Sequence, residues 1–108
     1  MDYTIIEVPD KNDSVSRIVL KSTVYKIRFT YNDTYDYWRF GVYDSQSNPI
    51  VLGMKIVPNI PINIFHTSYD LPFGIFAALT KLDRIGRDDL IGDKVQFVFC
   101  PLEREESE

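Results

Sequence analysis

Hydrophobic and polar positions alternate most regularly between Val24 and Asp44, and that stretch organises the reading of the whole chain. Tyr25, Ile27, Phe29 and Tyr31 fall on one side of an extended segment and Lys26, Arg28 and Thr30 on the other, the period of two of a half-buried strand. After the link Asn32-Asp33-Thr34-Tyr35-Asp36, Trp38, Phe40 and Val42 alternate with Tyr37, Arg39 and Tyr43. Asn and Asp side chains bond their own backbone in turns. The two arms therefore predict a β-hairpin, with Asn32 and Asp33 shaping its turn and Trp38 and Phe40 entering the core.

The flanking segments extend the same pattern. Tyr3 to Val8 is a short apolar run ended by Pro9, and because proline cannot donate to a ladder the run predicts an edge strand. Val15 to Leu20 predicts a strand that turns directly into the hairpin, so a meander is the simplest path. Pro49 to Pro58 is apolar at almost every position, as a strand covered on both faces would be, and Gly53 within it predicts a bulge or a close backbone approach. Prolines scattered between Pro58 and Gly74 exclude a regular helix or central strand throughout, although Ile62 to His66 fits one helical turn. Ile75 to Leu82, although Phe76-Ala77-Ala78-Leu79 would also tolerate a helical turn, and Lys94 to Cys100 predict two more strands, joined by a polar loop punctuated by Gly86 and Gly92.

The expected fold class is all-β: a single small antiparallel barrel or sandwich of six to seven strands with at most one short helical turn. Both architectures bury alternate residues, so alternation leaves the choice open. Residues 1–100 are expected to form one β-rich domain and residues 101–108 an acidic, loose tail.

Composition narrows the function classes. The net charge of −4 argues against a general nucleic-acid binder, since such binding is driven by neutralising phosphates with Lys and Arg. Cys100 is the only cysteine, which excludes a disulfide within the chain and fits a reducing compartment. The first seven residues lack the basic and apolar regions of a signal peptide, and no apolar run reaches the roughly 20 residues of a membrane span.

Candidate chemistry is sparse. His66 and Cys100 have no metal-ligand spacing, Asp88-Asp89 lacks a calcium-loop pattern, and Cys100 in its apolar strand has little to lower its pKa. Asp33, Asp36, Asp44, Asp83, Asp88 and Asp89 sit where acids serve turn geometry more often than catalysis. No metal, cofactor or enzymatic activity is expected. The aromatics Tyr31, Tyr35, Tyr37, Trp38, Phe40 and Tyr43 suit a core or a protein interface better than a base-stacking platform, because only Lys26, Arg28 and Arg39 lie near them in sequence.

Taken in order, Phe29-x-Tyr31-Asn32, Tyr37-Trp38-x-Phe40, Tyr43-Asp44, Pro49-Ile50-Val51-x-Gly53, Ile56-Val57-Pro58, Leu71-Pro72-x-Gly74 and Gly86-Arg87-Asp88-Asp89-Leu90 resemble the baseplate plug proteins of contractile-tailed bacteriophages over roughly residues 29–100. The resemblance implies a non-enzymatic structural part of the virion tail, assembled in the host cytoplasm, present in several copies and set against hub and spike proteins. A part that holds its neighbours needs complementary surfaces with apolar centres and polar rims. Candidate contact residues are then Arg87, Asp88, Asp89, Tyr35 and Tyr37, with Gly86 turning the loop. Arg87 has two readings of equal weight: an interface anchor, or a local partner of Asp88, Asp89 or Asp83 that orders its own loop. The alternative function is a stand-alone small barrel that binds a peptide, sugar or nucleotide on its aromatic face.

Overall fold

The structure, a computed structural model, describes residues 3–62 and 74–101. The hairpin forms from β3 (Thr23–Asn32) and β4 (Tyr37–Asp44), flanked by β2 (Asp13–Leu20) and β5 (Pro49–Ile56) in a four-stranded antiparallel meander ordered β2-β3-β4-β5. A second antiparallel sheet is ordered β1-β7-β6, from β1 (Thr4–Ile5), β6 (Gly74–Thr80) and β7 (Val95–Pro101). The two sheets pack face to face as a sandwich; they do not close into a barrel. His66 and the residues after Pro101 lie outside the described residues, as does all of the 62–66 turn except Ile62, which bridges to Phe76.

The register explains which side chains are buried. Ile27 faces Val42 and Phe29 faces Phe40 across the hairpin, so one face of β3 and β4 is a continuous apolar surface, and Ile27, Phe29, Trp38, Phe40 and Val42 are each at most 1% exposed. From the opposing sheet come Phe76, Ala78, Val95, Phe97 and Phe99. Phe97 lies at the centre, its ring centroid 5.4 Å from Phe29 at an 83° edge-on angle, 5.2 Å from Phe40 and 5.9 Å from Phe76. Such rings contribute both area removed from water and a directional term of about 0.5–1.5 kcal/mol per well-oriented pair.

Two expectations change. The Pro49–Pro58 strand is not covered on both faces: β5 is an edge strand, and Leu52 is 57% exposed. Its unbroken apolar run includes residues turned outward by a bulge, where Leu52 and Gly53 together stand opposite Gly41 and the pairing shifts between Phe40 and Val42. Gly53 has φ +68°, a left-handed conformation that a side chain disfavours. The second change is the one short helix among the described residues. It is α1 (Arg87–Ile91), inside the loop that reads as irregular.

Candidate interface at one end of the sandwich

The β3–β4 turn is built by its own side chains. Asn32 Oδ1 accepts hydrogen bonds from the backbone N–H groups of Thr34 (3.0 Å) and Tyr35 (3.1 Å), and Asp36 closes the turn at φ 57°. This leaves Tyr35 at the tip, 75% exposed. Asp36 is bound from two directions: the Tyr31 hydroxyl donates to its carboxylate, and Arg84 donates to the carboxylate (2.7 Å) and to its backbone carbonyl (2.9 Å). Arg84 thereby ties the hairpin turn to the β6–β7 loop.

A second tie lies deeper. Trp38 is fully buried, tilted against Tyr31 with 5.3 Å between ring centroids, and its indole N–H donates to the Gly86 carbonyl at 3.1 Å. Directly after Gly86, α1 begins. The Asp89 carboxylate accepts from the Gly86 N–H at 2.9 Å, and Asp88 and Asp89 together put negative charge in the first turn, where the helix dipole favours it.

Arg87 supplies the third tie. Its Nε donates to Asn12 Oδ1 at 2.6 Å, and its Nη1 lies 3.0 Å from an Asp10 oxygen and 3.1 Å from one of Asp88. Asn12 in turn accepts the backbone N–H of Tyr31. Three segments distant in sequence, the β1–β2 turn, the hairpin turn and the β6–β7 loop, are therefore stitched into one end of the sandwich.

The carboxylate at the centre of this clasp is more acidic than a free one. Tyr31's hydrogen bond, and after it Arg84's, holds Asp36 below the usual carboxylate range; the same bond keeps the proton on Tyr31 and raises its pKa. A carboxylate whose pKa is depressed on folding stabilises above its unfolded value and loses that contribution as pH falls through the folded value. Asp36→Asn is therefore expected to be less stable than wild type at neutral pH, with the gap closing as pH drops below about 4. Denaturant titrations at the two pH values check this. A gap that stays constant in acid would mean that the charge of Asp36 is irrelevant.

The end brings together Arg87, Asp88, Asp89, Gly86, Asn32 and Trp38, with Asp33 and Tyr35 in the hairpin turn tied to it. Tyr37 stands elsewhere, on the outer face of the four-stranded sheet with Lys55 Nζ 4.9 Å and Arg39 Cζ 5.9 Å from its ring centre. Phe40 lies in the inter-sheet core, and Gly53 at the β5 bulge. Trp38 and Phe40, two of the aromatics on which a ligand-stacking face would depend, are turned inward. Arg84, Asn12 and Asp10 escaped the sequence reading. Arg84 is 48 residues from Asp36 and Arg87 75 residues from Asn12, and no local pattern signals contacts over such separations. Among the described residues, no three His, Cys, Asp or Glu side chains gather as metal ligands do, and no helix is long and apolar enough to cross a membrane.

A family model described as cyanophage baseplate Pam3 plug gp18 matches residues 1–101. The chain belongs to this baseplate plug family. The match takes in residues 1–28, which the resemblance read from the sequence left out, and so covers β1, β2 and the Asp10–Asn12 turn as well as the hairpin. Membership makes this a phage tail protein of structural type and implies a place in the virion's baseplate. Among curated proteins none matches the chain.

Proposed function

We propose that the chain is a plug-like baseplate part that contacts the hub and spike proteins and works by packing against them, without catalysis. The observation that carries this reading is the family match across residues 1–101, which spans strands of both sheets. The stitched end supports it. A contact surface is worth most when it is ordered before binding, because the side-chain and loop entropy lost on association is then small. Here Arg84 and Arg87 hold the loops, and Tyr35 and Asp88 project from them, the Asp88 side chain 90% exposed.

In this reading Tyr35, Asp88 and Asp89 meet a neighbour, Arg87 fixes the loop that presents the two acids, and Tyr37 belongs to a second contact on the sheet face. Residues 1–100 act as one part, and the chain is present in several copies of a symmetric assembly put together in the host cytoplasm. Electron microscopy of particles produced without this chain tests the proposal. The expected result is tails that are incomplete at the baseplate and not infectious, and complete, infectious tails would overturn it.

A further inference from the structure

The outer face of the four-stranded sheet has a charge that the chain as a whole does not. Three rows cross it, set by the strand register. Arg17 stands beside Lys26 and Tyr43; Val15 beside Arg28 and Gly41; Asp13 beside Thr30, Arg39 and Lys55. The face thus holds five cations and one carboxylate, a charge of +4 on a chain whose total is −4, which leaves −8 for everything else.

Two of these neighbours are like-charge pairs directly across strands, Arg17 with Lys26 and Arg39 with Lys55, an arrangement that costs stability. The Tyr37 ring, 4.9 Å from Lys55 Nζ and 5.9 Å from Arg39 Cζ, offsets part of it, but no carboxylate does. The face's single carboxylate, Asp13, is gripped by the Arg28 fork at 2.8 and 2.6 Å, and among the described residues Arg17, Arg39 and Lys55 have no ion pair. Gly41 contributes no side chain to the face, Leu52 Cδ2 leans over it, and beside it a cleft of about 370 Å³ opens between Arg28, Thr30, Arg39, Tyr43, Leu52 and Gly53.

We infer that this face is a docking surface for an acidic protein partner, with carboxylates of that partner received by Arg17, Arg39 and Lys55 and one of its side chains entering the cleft beside Gly41. Charge complementarity selects an acidic occupant, and the interleaving selects a protein. Val15, Val19 and Leu52, each more than half exposed, alternate with the cations, and Tyr37 and Tyr43 flank them. Arginine and tyrosine around exposed aliphatics is the composition of a protein interface, whereas a phosphate backbone is met by cations and polar groups. Planar arginine forks also match carboxylates two bonds at a time. The inference rests on the chain being a part held by its surfaces, but its test is separate from the particle experiment.

The test is fluorescence anisotropy of the full chain with a labelled peptide of alternating glutamate and leucine, and in parallel with a labelled single-stranded oligonucleotide. The wild type is expected to bind the peptide, more weakly as salt rises, and the Arg39→Glu/Lys55→Glu variant to lose about tenfold or more in affinity. Lys81→Glu/Lys94→Glu, with the same change in net charge on exposed positions off the face, is expected to stay within about twofold of wild type. Relief of the cross-strand repulsion gives a second readout: Lys55→Glu alone is expected to melt higher than wild type. Should the double charge reversal fail to fold, Arg17→Gln/Arg39→Gln replaces it. Four results would overturn the inference: no binding of the peptide, equal losses in the two charge variants, tighter face-dependent binding of the oligonucleotide, or sedimentation showing this face already occupied by a second copy of the chain.

Discussion

Phe97→Ala is expected to lower stability by about 3–5 kcal/mol, the cost of a large cavity left at the centre of a packed aromatic core. Phe97 is 2% exposed and touches rings from both sheets, Phe29 and Phe40 on one side and Phe76 on its own. Removing it takes away most of what joins the sheets there. Neighbours can relax only partly into the space, since each is fixed by a strand. Small domains have about 5–15 kcal/mol in total, so the variant is expected to sit near the edge of folding at room temperature. Guanidinium denaturation measures this as a lower midpoint. A loss under about 1 kcal/mol would show that the two sheets do not depend on this ring cluster.

Trp38→Ala is expected to cost a similar amount, about 3–5 kcal/mol, for a partly different reason. The indole fills the base of the stitched end, and its N–H donates to Gly86 at 3.1 Å, so the substitution both opens a cavity and releases the β6–β7 loop from the hairpin. Trp38→Phe separates the two effects. It keeps most of the apolar volume and removes only the hydrogen bond, whose net worth is about 1 kcal/mol; the Gly86 carbonyl still receives the Asp89 N–H at 3.3 Å. Loss of assembly by Trp38→Ala is then a consequence of misfolding. Unchanged melting together with lost hub binding would reverse that order of events and make Trp38 a contact residue.

Much of the meander was legible because the alternation of β3 names its buried face residue by residue, and polar side chains at Lys26, Arg28 and Thr30 leave no other register that buries Ile27 and Phe29. The Pro49–Pro58 strand misled for the converse reason. A run with almost no polar residue carries no period, and so conceals both the bulge at Gly53 and the exposure of Leu52. The helix α1 spans five residues, too few for a period of 3.6 to register, although Asp88 and Asp89 after Gly86 are the acids a first turn prefers. The ties of Arg84 and Arg87, like the gathering of Arg17 and Lys55 beside Lys26, Arg28 and Arg39, depend on strand pairing and loop packing across long separations. Lys26, Arg28 and Arg39 alone looked too few for a basic surface. The register adds the other two cations, one from each flanking strand.

The central claim is that this chain serves by fitting between other tail proteins as a pre-ordered sandwich. Electron cryomicroscopy of assembled tails at side-chain detail tests it most directly. The expected result is density for the two-sheet fold within the baseplate, with Tyr35 and Asp88 against a neighbouring protein and the Phe97 core packed as in the isolated chain. Tails whose baseplate lacks this fold, or a fold present with Tyr35 and Asp88 facing open solvent, would contradict it.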